Sequence, residues 1–192
     1  GLLECKFGNV EMELFVAPEN LICFELKAPQ DDVYEIEINL PDTCESSNSE
    51  AYLNGVKCYS RKFSGENINI ESAVAVSLKE LNSNTVDGVT ATRYCVSVIT
   101  NFDADDYVSK GIETVLACDY DAEKTKTQEK WNSFFSASKV TLEDKEIEKF
   151  YNSSLYHLAG CMGNREFPPG LFGNFITDDF FPWAGDYHMN YN

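Results

Sequence analysis

Two asparagines, Asn190 and Asn192, stand two residues apart in the stretch FPWAGDYHMNYN (181–192), just behind Trp183, Asp186, Tyr187 and His188. Their chemistry is that of holding and orienting a polar molecule. An amide donates and accepts hydrogen bonds but is too weakly basic to remove a proton. A histidine can move protons near neutral pH, and His188 suits either a ligand contact or a structural hydrogen bond. Trp183 suits a sugar platform or core packing. Taken alone, Asn190 and Asn192 are the residues of a turn. The neighbouring carboxylates Glu166, Asp178, Asp179 and Asp186 read as solvated loop groups. His157, in the middle of an amphipathic stretch, reads as structural, because nothing near it in sequence completes a dyad or a metal site.

Other chemistries find little support. The chain has no Gly-rich phosphate loop, no nucleophile elbow and no basic–aromatic stripe. Its seven cysteines, at 5, 23, 44, 58, 95, 118 and 161, form no CxxC pair and no Cys/His cluster at zinc spacing. Buried free thiols are therefore expected rather than a disulfide framework, with no metal site and no cofactor. The net charge is −17, and most of the acidic excess lies in residues 1–122. That balance argues against nucleic acid and anionic membranes as partners and is compatible with a neutral ligand such as a sugar. No apolar run approaches the roughly 20 residues that span a bilayer. The opening GLLECKFG has neither an initiator Met nor a signal-peptide pattern, which leaves the compartment open.

The elements that would position these groups change type along the chain. In VYEIEINL (33–40), Tyr34, Ile36, Ile38 and Leu40 alternate with Val33, Glu35, Glu37 and Asn39, the period of a strand with one wet face. VEMELFV (10–16), ICFELK (22–27), VKCYSRKF (56–63), AVAVSLK (73–79) and RYCVSVIT (93–100) are further strands. They are separated by the turn-rich connections APEN, APQDD, PDTCESSNSE, LNG and LNSNTVDG. Short strands with polar outer faces predict an antiparallel sandwich. Near residue 105 the pattern turns helical through residue 138, with Trp131, Phe134 and Phe135 on one apolar patch. A second helix starts with Thr141 and Asp144 in the spacing of a capping box. Its stripe of Ile147, Phe150, Tyr151, Leu155, Leu158, Ala159 and Met162 is expected to bury Ile147, Phe150, Leu155 and Leu158. Gly163 is a natural C-terminal cap, and Pro168-Pro169 forbids continuation. From residue 167 onward there is neither helical nor strand period.

Three ordered blocks, WNSFFSASKVTL (131–142), EKFYNSSLYHLAG (148–160) and PPGLFGNF with PWAGDYHMNYN (168–175, 182–192), resemble glycoside hydrolase family 95, the inverting α-L-fucosidases and their relatives. The resemblance covers roughly residues 125–192 at motif level; residues 1–122 match in general character only. Phe175 stands where that family commonly has Trp, and Ala184 where it commonly has Gly. The resemblance implies a β-sandwich, supersandwich-like, over residues 1–122. A helical linker over 123–163 follows, then the entry to an (α/α)6 catalytic barrel over 164–192. By motif position Asn190 and Asn192 match the pair that holds the attacking water, and His188 falls near the sugar. Trp183, Asp186 and Tyr187 match the pocket wall. An inverting glycosidase needs a general acid and a general base, and amides supply neither. The resemblance implies a downstream Glu as the acid and a downstream Asp as the partner of the asparagine pair, both expected beyond residue 192.

The expectation is thus part of a glycoside hydrolase whose full-length form removes terminal α-L-fucose, or a related L-sugar, from glycans without a cofactor. The 192-residue chain by itself is expected to be inactive. The rival is a non-catalytic carbohydrate-binding or structural β-module on which the helices merely pack.

Overall fold

Tight turns at fixed positions organise the first part of the chain. Asn54 and Gly55 (φ 53° and 77°), and Asp87 and Gly88 (φ 52° and 77°), are left-handed pairs. Such pairs match the twist of two-residue hairpins, and Asn-Gly and Asp-Gly are the dipeptides that adopt them at least cost. Glu19 and Asn20 are also left-handed, at φ 62° and 61°. The computed structural model describes residues 1–40, 45–65, 70–137, 139–161 and 170. Among the described residues, seven strands run around these turns: β1 (Leu2–Phe7), β2 (Val10–Ala17), β3 (Leu21–Pro29), β4 (Ser46–Leu53), β5 (Val56–Phe63), β6 (Ala73–Val86) and β7 (Val89–Thr100). Three helices follow among them, α1 (Tyr107–Leu116), α2 (Tyr120–Ala137) and α3 (Lys145–Cys161).

The class is mainly β and antiparallel. The strands make one sheet in the order β1-β2-β3-β7-β6-β5-β4. Two meanders, β1 to β3 and β4 to β7, are joined by the antiparallel pairing of β3 with β7. That pairing sets Cys23 opposite Cys95, Glu25 opposite Arg93 and Leu21 opposite Ser97. A bulge between Glu80 and Asn82 shifts the β6–β7 register.

Because side chains alternate along each strand, the sheet has two faces. One carries Phe15, Ala17, Leu21, Cys23, Val56, Cys58, Ala75 and Cys95 and is packed against Ile112, Val115 and Tyr120. Asp106 caps α1 by accepting a hydrogen bond from the Ser109 N–H at 3.1 Å. Gly111 lets that helix approach closely. A Cβ there would meet Ser77 Oγ at 2.9 Å and Ser97 Oγ at 3.3 Å, while Ser97 Oγ donates to the Gly111 carbonyl at 2.9 Å. The other face carries Phe24, Leu26, Leu78 and Tyr94, with Tyr34, Ile36 and Ile38 packed against them.

Several expectations need correction. Residues 33–40 form no strand. Their alternation is nevertheless one of burial, with Tyr34, Ile36 and Ile38 turned inward and Val33, Glu35 and Glu37 exposed. The period reports which side faces the core, not whether ladder bonds form. The segments PDTCESSNSE and LNSNTVDG are not wholly connections, since β4 begins at Ser46 and β6 runs on to Val86, and β1 was given no strand by its sequence. The helix expected through residue 138 is two helices, broken between Leu116 and Tyr120. Within α2, Trp131, Phe134 and Phe135 do form one aromatic patch, with ring centroids 5.1–6.0 Å apart.

The chain divides into two compact units, residues 1–40 with 45–136 and residues 41–44 with 137–192. In the second, α3 is capped by Asp144, whose carboxylate accepts from the N–H groups of Glu146 (3.0 Å) and Ile147 (3.2 Å). Glu148 accepts from the N–H of Leu142 at 2.8 Å. The capping pair is therefore Asp144 with Glu148, in place of Thr141 with Asp144. The apolar stripe exists but is not buried: Ile147 is 56%, Phe150 75% and Leu158 54% exposed, and Leu155 is half-buried. Helical spacing brings these side chains onto one stripe, but burial needs a covering surface as well. Gly163 and Pro168-Pro169 lie outside the described residues.

Candidate functional site

The residues singled out by the sequence, Trp183, Asp186, Tyr187, His188, Asn190 and Asn192, lie outside the described residues, as do Glu166, Asp178 and Asp179. His157 lies on α3, where its ring meets that of Tyr156 edge-on at 5.8 Å.

Among the described residues, the structure assembles a different constellation. Cys23 comes from β3, Cys95 from the facing position on β7, and Cys118 from the turn between α1 and α2. Cys23 Sγ lies 4.0 Å from Cys95 Sγ and 3.9 Å from Cys118 Sγ. All three sulfurs fall within 4.8 Å of one another. None is in a disulfide; Cys23 and Cys95 are buried and Cys118 is half-buried. Two residues of adjacent central strands and one residue of a helix-to-helix turn thus share a single point beneath the helices.

The local fold explains the position of each. Cys23 and Cys95 are inward-facing members of alternating strands, in register because β3 pairs with β7. Cys118 is held by the end of α1, its N–H donating to the Val115 carbonyl at 3.4 Å. It stands just ahead of the first turn of α2, where Asp119 accepts from the Ala122 N–H at 3.1 Å.

The trio titrates as a unit. Hydrogen bonds from Cys23 and Cys95 lower the Cys118 thiol to about 4, against the opposing effect of burial. Cys23 is pushed up to about 12, first by its bond with Cys118. Cys95 is pushed up as well, by its bonds with Cys118 and Cys23 and by burial. Among the three, Cys118 is the sulfur favoured as thiolate, while Cys23 and Cys95 are held toward the protonated form. A thiolate is the form that attacks electrophiles and binds soft metals.

A second group of polar residues frames this end of the sheet. Arg93 donates to Glu25 at 2.7 Å and to Asp121 at 3.0 Å, with its guanidinium 4.4 Å above the Tyr120 ring. The Tyr120 ring packs edge-on against Phe15 at 5.2 Å. Lys124 and Tyr120 both donate to Glu13, at 2.5 Å and 3.3 Å. Burial opposes the ionised form of Glu25, but the bonds from Arg93 and Lys27 outweigh it and hold the carboxyl below its ordinary value. These bonds tie the start of α2 to β2, β3 and β7. They fix where Cys118 sits relative to Cys23 and Cys95.

Sequence spacing alone hides the trio, because the three cysteines are separated by 72 and 23 positions in the chain. The available signal was the inward phase of Cys23 and Cys95 in their strands. Using it required knowing that β3 and β7 are neighbours. Neither a comparison with protein-family models nor one with curated proteins gives a match for this chain.

Proposed function

We propose that this chain is part of a glycoside hydrolase similar to family 95, acting in its full-length form as an inverting hydrolase of terminal α-L-fucosides or related L-sugars. In this reading the antiparallel sheet belongs to an N-terminal supersandwich. The helices lead from it, and residues 164–192 enter an (α/α)6 barrel. The observation that supports it is the order of elements: an antiparallel sheet first, then helices at both blocks that resemble that family's linker. WNSFF lies on α2 with its three aromatic rings together, and EKFYNSSLYHLAG lies on α3.

The chemistry assigned to the motif residues is limited by their types. Asn190 and Asn192 orient the attacking water on the face of the sugar opposite the leaving oxygen. His188 lies near the sugar, with Trp183, Asp186 and Tyr187 forming the pocket wall. Two side chains at i and i+2 point to one side of the backbone when it is extended, whereas on an α-helix they diverge by about 200°. Carboxylates outside this sequence act as acid and base.

The test uses the full-length protein with Asn190→Ala and Asn192→Ala made separately, and turnover on an α-L-fucoside as the readout. The expected loss in kcat is about 100-fold or more, on the scale of removing positioned acid–base assistance. Near wild-type turnover in both variants would remove the water-holding role. Tight binding of a fucosylated glycan by residues 1–122 alone would favour the non-catalytic module. The 192-residue chain itself is expected to release no fucose.

A further inference from the structure

We propose that Cys23, Cys95 and Cys118 form a binding site for one thiophilic cation, zinc or monovalent copper, which staples the α1–α2 turn to the centre of the sheet. The inference is independent of the glycosidase reading and concerns the sheet unit alone.

The geometry carries it. Sulfurs spaced about 4 Å apart surround a centre about 2.3 Å from each of them, which is the length of a zinc–thiolate bond. The observed separations are 3.9 and 4.0 Å, with the third pair within 4.8 Å. A cation there needs the sulfurs to draw in by no more than roughly a few tenths of an ångström to reach the zinc–thiolate bond length. A disulfide would need one pair to close to about 2 Å and would leave the third thiol without a partner. Thiolate sets select soft ions over magnesium, calcium or manganese. With three protein ligands, monovalent copper is satisfied in the sulfur plane. Zinc would draw a fourth ligand from the half-buried Cys118 side, where Asp119, Asp121 and Arg93 line an open cleft.

The placement also makes sense mechanically. Each ligand comes from a different element, and β3–β7 is the single pairing that joins the two meanders. A metal there crosslinks that junction and the turn above it. Binding involves no oxidation: every thiol that ligates as a thiolate releases its proton to solvent, so uptake liberates protons and weakens as pH falls.

The test titrates the fully reduced 192-residue chain under argon, with zinc alone in one arm and monovalent copper in the other. Metal retained after dialysis, free thiols and melting temperature are the readouts. One equivalent in either arm, with a raised melting temperature, is expected. Cys118→Ser should weaken binding by more than about 100-fold, since losing even an outer-shell partner of a metal ligand costs about 10–100-fold. Cys58→Ser, buried in the same core but outside the trio, should retain the metal. Alkylation kinetics on the wild type give a readout that does not depend on any variant folding. Bound metal must slow modification of Cys118 and leave Cys5 and Cys161, which are also half-buried, unchanged. Retention of no metal in either arm, equal loss in Cys58→Ser, or unaltered alkylation of Cys118 would each overturn the site.

Discussion

The two faces of the sheet are covered by different means, and the contrast shows what each kind of cover achieves. Under the helices, Phe15, Cys23, Val56, Cys58, Ala75 and Cys95 are all within 1% of complete burial. Under the extended segment 34–38, the best-buried residues, Phe24, Leu26, Leu78 and Tyr94, retain 6–8% exposure. Tyr34, Ile36 and Ile38, which cover them, are only partly buried. The difference follows from shape. A helix lays several side chains per turn onto the sheet and satisfies its own backbone groups, so it can sit close over small residues. An extended segment outside the ladder presents one side chain in two, and its backbone groups must find water. It therefore covers with large groups, here Tyr34 beside the stacked Phe24–Tyr94 pair at 5.0 Å.

If that contrast is right, the largest effects lie on the helix-covered face. Phe15→Ala should destabilise the sheet unit by about 3–5 kcal/mol in denaturant unfolding, whereas Ile36→Ala on the other face should cost well under half of that. Equal losses would break the comparison. Next in size is the close approach at Gly111. Gly111→Val forces side-chain atoms into Ser77 and Ser97 and should cost about 1–3 kcal/mol. A stabilised variant would mean that α1 does not sit as close as described. Removing the α1 cap with Asp106→Ala should cost about 1 kcal/mol. This should be visible as a lower melting temperature that Asp106→Ser largely restores.

The smallest effect is the most specific in its pH dependence. Glu25 has a folded pKa held below its ordinary 4.5, so its contribution is fully present above that value and is lost as pH falls through the folded pKa. Glu25→Gln should be less stable than wild type at neutral pH, and the gap should close below pH 4.5. A gap that stayed constant through that window would show that the Arg93 pair does not help hold α2 to the sheet.

Periodicity found five of the seven strands among the described residues, because β2, β3, β5, β6 and β7 each have an inward side and alternate accordingly. It missed the two edges for different reasons. In β4 the sequence SSNSEAYL is polar and almost wholly exposed, so no alternation exists to be read; a polar edge also discourages pairing with other chains. In β1, too, nearly every position is exposed. The inward phase of 34–38 was legible, but its lack of ladder bonds was not, since alternation depends on facing a core and hydrogen bonding on having a neighbour. The motif residues 183–192 could be singled out by type and order but lie outside the described residues.

Local chemistry in the sequence determined the hairpin turns at Asn54-Gly55 and Asp87-Gly88, the alternation of the inner strands, and the helical character after residue 105. These depend on steric preference and on side-chain period, which act between near neighbours. Tertiary structure alone decided that β3 lies beside β7, and with it everything that pairing brings together. Arg93 meets Glu25 and Asp121 only because strands 68 positions apart share a register. Likewise Cys23, Cys95 and Cys118, unremarkable in spacing, converge because two central strands and one turn meet under α1 and α2. Contacts over such separations are selected by the burial of the whole face, a sum over many residues that no local window contains.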